Sequence, residues 1–220
     1  MMAKLKFAWA LFALTTIAGL IAYQMVEPGA QIPIHWNIKG EADDWASPLF
    51  AFFMLPGVQL ISLLLMSALP VLEPRKDNIG KSTKAVQAIV FGTLAVLAAA
   101  QSAIIAAGFG YEPMGPKTII AAVGILFVVI GNYMTKLKSN FFIGIRTPWT
   151  LSSDTVWKKT HRLGAKLFMA SGAVIFIGSF LIEAPYLAGL VLGTVLPVTL
   201  FIIFYSWHIW RQEKSGRTIN

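Results

Sequence analysis

The chain has no cysteine, and only 13% of its 220 residues are charged. The absence of cysteine excludes a disulfide framework and any chemistry that needs a thiolate. Soluble domains carry roughly 25% charged residues, so the low charged fraction excludes an ordinary soluble globular protein. Carboxylates are especially scarce, with 10 Asp and Glu against 18 Lys and Arg, while 56% of the residues are hydrophobic. This composition is typical of an integral membrane protein.

Six apolar runs are long enough to cross a bilayer, whose core requires about 20 mainly apolar residues per helix. They are Phe7–Val26, Leu49–Leu72, Ala85–Gly108, Thr118–Thr135, Gly164–Ile182 and Tyr186–Trp207. Because lipid offers no hydrogen-bond partner to backbone N–H and C=O groups, each run is expected to be helical. The sequence therefore predicts an all-α, polytopic membrane protein with about six transmembrane helices.

The distribution of cationic residues predicts the orientation, because Lys and Arg concentrate in cytoplasmic connections. If the N-terminus is cytoplasmic, two cations, Lys39 and Lys117, fall outside and sixteen fall inside. The sixteen are Lys4, Lys6, Arg75, Lys76, Lys81, Lys84, Lys136, Lys138, Arg146, Lys158, Lys159, Arg162, Lys166, Arg211, Lys214 and Arg217. Both termini are thus expected in the cytoplasm, and the net charge of +8 is expected to contact anionic lipid, not nucleic acid.

The connection between the first two runs, residues 27–48, is long and acidic, and we call it the acidic loop. It reads EPGAQIPIHWNIKGEADDWASP. Pro-Gly, Lys-Gly and Ser-Pro pairs mark it as a loop, while QIPIHWNI alternates enough to form a short extended piece. His35 beside scattered acids matches no strong metal motif, so no metal is assigned, and Trp36 and Trp45 are typical of interfacial anchors. A long outer loop of this kind is a candidate ligand surface.

Residues 136–162, before the fifth run, form a polar connection on the predicted inner side, which we call the signature segment. Its pentad FFIGI is too short to span and is expected at the headgroup boundary or folded back into the bundle. Pro148 pushes Thr147 out of the helical region. Ser152, Ser153 or Asp154 is then expected to cap a helix that continues into the fifth run.

Three further side chains of the signature segment call for partners. Trp157 and His161 are four apart and share a helical face, a pattern that suits a helix entering the membrane at its interface. Arg146 is flanked by apolar residues and needs an acceptor. The acceptors considered are a lipid phosphate, a carboxylate of a neighbouring helix and the carbonyls of a helix end.

Two functions compete with a ligand-binding role. A membrane-embedded hydrolase is one, because Ser, Asp and His all occur in the signature segment; no GxSxG elbow accompanies them, and capping explains them, so no catalytic residue is assigned. A small-solute or ion transporter is the other, and it requires polar residues along an aqueous path. The runs hold few, namely Gln24, Gln59, Gln101 and Asn132. Hydrogen bonds to neighbouring helices account for Gln101 and Asn132.

The stretch GNYMTKLKSNFFIGIRTPWTLSSDTVWKKTHRLGAKLF, residues 131–168, resembles the signature of the SdpI family of bacterial membrane proteins. The matching positions are Gly131, Asn132, Lys138, Asn140, Phe142, Gly144, Ile145, Arg146, Thr147, Pro148, Trp149, Thr150, Leu151, Val156 and Trp157. The acidic loop resembles the N-terminal domain that accompanies this family, through Pro33, His35, Trp36, Asn37, Gly40, Asp43 or Asp44, and Trp45. The resemblance divides the chain into an N-terminal helix pair with its extracytoplasmic loop, residues 1–80, and an SdpI-like four-helix region, residues 81–220.

The resemblance implies a multi-pass protein of the bacterial inner membrane that gives immunity against a secreted peptide toxin. Its implied partners are membrane lipid, the toxin and a cytoplasmic transcriptional repressor, with no direct contact to nucleic acid. It implies no enzyme, and no cofactor is assigned; the residues leave the oligomeric state open. The candidate ligand and partner residues are His35, Trp36, Asn37, Gly40, Asp44, Trp45, Asn132, Asn140, Gly144, Arg146, Thr147, Pro148, Trp149, Trp157 and His161.

Overall fold

The computed structural model describes residues 5–111 and 116–216, so Lys4, Glu112 and Arg217 lie outside the described residues. Within that part, the chain forms eight α-helices, one short 3₁₀ turn and a two-stranded antiparallel hairpin. In chain order they are α1 (Lys6–Met25), β1 (Ile32–Trp36), β2 (Ala42–Ala46), α2 (Pro48–Leu72), α3 (Lys76–Lys81), α4 (Thr83–Gly108), α5 (Pro116–Met134), α6 (Pro148–Ser152), α7 (Asp154–Leu181), the 3₁₀ turn Ala184–Tyr186 and α8 (Leu187–Lys214).

The six long helices α1, α2, α4, α5, α7 and α8 are each long and apolar enough to cross a membrane. This confirms the prediction of an all-α, polytopic membrane protein. Large apolar side chains such as Ile61, Phe176 and Leu200 remain exposed on their outward faces. In a membrane protein these faces contact lipid, which solvates them as well as a protein core would.

The six long helices pack as two groups. Helices α1, α2 and α4 pack on one another, α5 and α7 form the most extensive pair, α8 packs on α7, and α4 joins the groups through α5. Glycine permits the close approach of α5 and α7, because a Cβ on Gly172 would lie 2.5 Å from the Gly124 carbonyl oxygen. Small residues at such contacts are typical of helix association in lipid.

Polar side chains inside the bundle tie α2 to α4. Gln101 donates its amide to the Ala51 carbonyl at 3.3 Å, and Gln59 donates to the Leu94 carbonyl at 3.0 Å. The interhelical hydrogen bond predicted for Gln101 is therefore confirmed. The same prediction is wrong for Asn132, whose side chain is exposed on α5 and makes no hydrogen bond to another helix within the described residues.

Successive connections alternate between two ends of the bundle. We call the end that carries the acidic loop the acidic end, and the end that carries α3 and the signature segment the basic end. The extended piece predicted in the acidic loop is confirmed as β1, which pairs in antiparallel register with β2. Strand β2 was not predicted, because ADDWA lacks the β-branched residues that favour strands.

Candidate functional site

The tip of the hairpin is a tight turn built by Asn37 and Gly40. The Gly40 N–H donates to the Asn37 carbonyl at 2.9 Å. The Asn37 side-chain oxygen accepts the N–H groups of Lys39 at 2.8 Å and Glu41 at 3.2 Å. Gly40 has a φ of 85°, in the left-handed region that glycine adopts most readily. These two candidate ligand residues therefore shape the turn.

The hairpin exposes acidic and aromatic side chains together. His35 Nδ1 lies 2.6 Å from Asp43 Oδ1, and both side chains are largely exposed. Trp45 is 49% exposed, and its backbone N–H donates to the Asp44 side chain at 2.9 Å. Trp36, by contrast, is half-buried against the helices below. Within the described residues, no group of three or more His, Cys, Asp and Glu is placed to hold a metal ion.

Strand β1 seats the hairpin on the bundle. Ile32 is 1% exposed and packs in a cluster with Ala22, Phe52 and Ile104, from α1, α2 and α4. A Cβ on Gly108, at the end of α4, would lie 3.2 Å from Ile32 Cδ1. The hairpin is therefore held against three helices, while β2 remains accessible.

At the basic end, Asn140 organises the chain that follows α5. Its side chain is fully buried, and its amide donates to the carbonyls of Lys138 and Ile143, both at 2.9 Å. Its side-chain oxygen accepts the N–H groups of Phe142 at 2.9 Å and Ile143 at 2.7 Å. Backbone groups thus use all four hydrogen-bonding positions of the amide, which leaves none for a ligand.

The pentad FFIGI folds back into the bundle, which was one of the two expected positions. Ile143 packs against two hydrophobic clusters of the core. Phe141 and Phe142 remain exposed, by 41% and 36%. The pentad is therefore anchored through Ile143 and through Ile145, which lies against Gly164 of α7, and it presents two aromatic rings at the surface.

Glu73, a carboxylate that no sequence pattern singled out, holds the signature segment to the end of α2. It is fully buried; its Oε2 accepts the Phe141 N–H and its Oε1 accepts the Arg75 N–H, both at 2.9 Å. A buried carboxylate is costly unless it is hydrogen-bonded, and these donors offset the cost. The signal in the sequence is an acidic residue among the cations that follow α2.

Arg75 extends the same anchorage. Its guanidinium donates to the Ser139 hydroxyl and, at 3.0 Å, to the Leu151 carbonyl. It also lies 4.9 Å from the centre of the Phe141 ring. Arg75 therefore links three parts of the signature segment to the connection after α2.

Arg146 finds its acceptor within its own loop. Its Nη1 donates to the Phe141 carbonyl at 2.6 Å, and the residue is exposed. The predicted acceptors were a lipid phosphate, a neighbouring carboxylate and a helix end, and the observed one is a loop carbonyl. The prediction missed it because FFIGI folds back and presents its own backbone to the arginine.

Gly144, Trp157 and His161 form a tight contact. Gly144 has a φ of 121°, and a Cβ there would lie 2.6 Å from His161 Nε2. The Ile145 N–H donates to His161 Nε2 at 3.0 Å, and His161 Nδ1 donates to the Trp157 carbonyl at 2.8 Å. Because a backbone N–H only donates and a carbonyl only accepts, these bonds select the neutral imidazole with its proton on Nδ1.

Trp157 adds to the contact between Gly144 and His161. We call the residues whose contacts hold the signature segment in place the internal support, namely Asn140, Gly144, Thr147, Trp157 and His161. Its ring stacks on His161 with centroids 4.0 Å apart, and its indole N–H donates to the Leu137 carbonyl at 2.9 Å. Trp157 and His161 are 2% and 1% exposed. The shared face predicted from their spacing is confirmed, and it is turned towards the protein interior, not towards the membrane interface.

Two capped helices shape the remainder of the signature segment. Thr147 is extended, as predicted for a residue before proline, and it begins α6 through a reciprocal capping box with Thr150. Its hydroxyl lies 3.0 Å from the Ser206 hydroxyl of α8. Helix α6 was not predicted, although Thr followed by Pro is a helix-start signal. Ser153 caps α7 by accepting the Val156 N–H, as expected.

Two side chains considered for the hydrolase alternative, Ser153 and His161, are engaged in other contacts. The Ser153 hydroxyl donates to Glu213 at 2.9 Å. Both ring nitrogens of His161 are engaged by the backbone. These side chains therefore do not assemble into a nucleophile and its base in this structure.

The candidate residues of the signature segment thus fall into two groups. Asn140, Gly144, Thr147, Trp157 and His161 belong to the internal support. Arg146 and Pro148 are exposed and Trp149 is half-buried, so these three face outward with Phe141 and Phe142. Asn132, on α5, belongs to neither group.

Comparison with known proteins adds to this picture. Residues 136–206 match the sequence model of a family described as the SdpI/YfhL protein family. Residues 10–60 match a domain described as a domain of unknown function, DUF1648. The chain is 29% identical over 208 residues to the Immunity protein SdpI of Bacillus subtilis (strain 168), a match that covers 93% of this chain and 94% of that protein. No solved structure matches the chain.

Proposed function

Since this chain belongs to the SdpI family of integral membrane proteins, we propose that it gives its cell immunity against a secreted, membrane-active peptide toxin. The observation that carries the proposal is the match to an immunity protein over 93% of the chain. A match of that length includes most of the acidic loop and of the signature segment. It therefore reflects more than the shared hydrophobicity of membrane helices.

In this proposal the chain lies in the bacterial inner membrane, with the acidic loop outside and the signature segment in the cytoplasm. The sixteen-to-two distribution of cations supports this orientation. Contacts with α2 support it as well, because the hairpin packs on Phe52 near the start of α2, whereas the signature segment bonds to Glu73 just after its end. A toxin arriving from outside would therefore meet the hairpin first.

The hairpin surface has the chemistry to receive such a peptide. Membrane-active peptides combine basic residues with aromatic and aliphatic ones. Trp45 offers an exposed apolar ring, and Asp43 and Asp44 next to it are exposed carboxylates. The edge of a two-stranded hairpin also presents unpaired backbone groups to which an extended peptide can add.

The same proposal includes a cytoplasmic transcriptional repressor, held at the basic end when toxin is bound. Helix α2 is the element that would connect the two events. It begins at Pro48, one residue after β2, and it ends at Leu72. The next residue, Glu73, binds the Phe141 N–H through its carboxylate. A shift of α2 under the hairpin would therefore move the outward-facing rings of the signature segment.

Survival of a deletion strain tests the proposed immunity. Loss of the gene should lower survival after challenge with membrane-active peptides, and the wild-type chain should restore it. A Trp45→Ala chain of equal membrane abundance should restore less, because the exposed ring is lost. Unchanged killing at good expression of the wild-type chain would contradict immunity, and ion flux in reconstituted vesicles would then favour the transporter.

Labelling of single cysteines tests the orientation, because the natural chain has none. Lys39→Cys, at the hairpin tip, should react with a membrane-impermeant maleimide in intact cells. Ser152→Cys, exposed at the basic end, should react only after permeabilisation. Reaction of both from the same side would refute the proposed arrangement.

A further inference from the structure

A cleft of about 530 Å³ opens at the basic end, between α3, the chain that leaves α5 and the first turns of α7. Four of the side chains that line it are cationic, namely Lys81, Lys138, Lys158 and Arg162. One carboxylate, Asp154, lines it as well. Four cations and one carboxylate leave the cleft with a net charge of +3.

The cations of the cleft are not neutralised by the protein. All four are exposed, and within the described residues none of these four forms an ion pair. Like charges gathered in one cleft repel one another and raise the local concentration of anions. The cleft is therefore an electrostatic site for an anion.

The walls of the cleft are held in place by hydrogen bonds that do not involve the cations. On one side, Asn78 donates to the Ser139 carbonyl at 2.9 Å. On the other, the Trp157 indole donates to the Leu137 carbonyl at 2.9 Å. Because these walls are already fixed, an anion that enters needs to order only the ends of flexible lysine and arginine side chains.

The position of the cleft relative to the membrane indicates that the anion is a lipid headgroup. Thr135, which lines it, directly follows the last residue of the spanning helix α5. Arg162 lies two residues before Gly164, where the long apolar run of α7 begins. The cleft thus lies at headgroup level, where basic pockets between transmembrane helices bind phosphate headgroups. Leu137 and Trp157 supply an apolar wall beside the cations.

We propose that this cleft is a specific site for the phosphodiester headgroup of an anionic phospholipid, bound by Lys138, Lys158 and Arg162. The lysines come from two segments, since Lys138 lies in the chain after α5 and Lys158 is the fifth residue of α7. A phosphate shared between them joins these segments and reinforces the signature segment. The site stands apart from the proposed immunity and holds whether or not the chain binds a toxin.

Lipid binding to the purified full-length chain in neutral detergent tests the site, with phosphatidylglycerol as the probe and native mass spectrometry as the readout. The double variant Lys138→Gln/Lys158→Gln removes two cations from the cleft. Each cation near an anionic headgroup raises the binding affinity by about fivefold, so the loss of two should lower the affinity about thirtyfold. The matched control Lys76→Gln/Lys214→Gln makes the same change in net charge at exposed positions outside the cleft and should keep wild-type affinity.

Phosphatidylcholine and soluble glycerol phosphate provide the remaining arms. Phosphatidylcholine should bind weakly, and glycerol phosphate should not displace phosphatidylglycerol at equal concentration. Equal losses in both double variants would show a diffuse cationic surface and overturn the site. Displacement by glycerol phosphate would show a site for a free anion and overturn the lipid assignment. Both double variants are expected to fold, because the four lysines are exposed. Thermal unfolding without lipid checks this.

Discussion

The two ends of the bundle differ in how far along the chain their hydrogen bonds reach. At the acidic end, Asn37 bonds to groups within four positions of itself, and His35 pairs with an acid eight positions away. At the basic end, Arg75 reaches Leu151, 76 positions along the chain, and Glu73 reaches Phe141, 68 positions along. The hairpin is therefore a locally built, exposed surface, whereas the signature segment is part of the fold.

This difference has a practical lesson for mutagenesis. An exposed residue of the hairpin, such as Trp45, can be changed without disturbing the bundle, so a lost function reports a lost contact. A residue of the internal support such as Trp157 or His161 cannot, because it is buried and its hydrogen bonds hold the backbone of the signature segment in place. Matched substitutions of the same residue type at the two ends separate these cases.

The largest expected difference in unfolding free energy is between Trp157→Ala and Trp45→Ala. Trp157→Ala should lower the free energy of unfolding by about 4 kcal/mol, because it removes a buried ring and leaves a cavity. Trp45→Ala should change it by less than about 0.5 kcal/mol, because that ring is half in solvent. Unfolding in mixed micelles with SDS, followed by circular dichroism, measures both. Equal losses would mean that the hairpin is as integral to the fold as the signature segment.

Asn140→Ala and Asn37→Ala should differ less in unfolding free energy. Asn140→Ala removes a buried amide, leaves the four backbone groups bonded to it without that partner and should cost about 3 kcal/mol of unfolding free energy. Asn37→Ala should cost about 1 kcal/mol or less, since water can bond to the groups that it releases in an exposed turn. The same unfolding titration compares them, and a cost at Asn140 no larger than that at Asn37 would contradict the internal role of its amide.

His161→Ala and His35→Ala should differ least in unfolding free energy. His161→Ala leaves the Ile145 N–H without its acceptor and should cost about 2 kcal/mol of unfolding free energy. His35→Ala removes an exposed pair with Asp43 and should cost less than about 1 kcal/mol. Thermal unfolding of the two purified variants provides the measurement. If His35→Ala proved the more damaging change, the hairpin pair would be structural and the proposed ligand surface would need revision.

Much of the architecture was predictable because it depends on local composition. Each of the six apolar runs became a helix, since a bilayer forces backbone groups to bond within the segment. The extended Thr147 before Pro148 and the cap at Ser153 were predictable for the same reason, because both depend on neighbours a few residues away. The resemblance of the signature segment likewise pointed to the family before any contact was known.

The candidate site was predictable only as a set of positions. Spacing placed Trp157 and His161 on one face, and only the packed structure shows that this face is internal. Strand β2 was missed because its residues have low strand propensity and are stabilised by pairing with β1. Glu73 was missed because its structural role depends on a hydrogen bond from the Phe141 N–H, which is far away along the chain.

Hydrophobicity and charge along the chain thus sufficed for the helix count and the membrane location, because lipid and water act on each segment separately. The roles of the two arginines were decided by packing. Arg146, within the motif, is exposed, while Arg75, outside it, ties the segment together. A hydrogen bond between residues some 70 positions apart depends on where whole helices come to rest, and no local pattern carries that information.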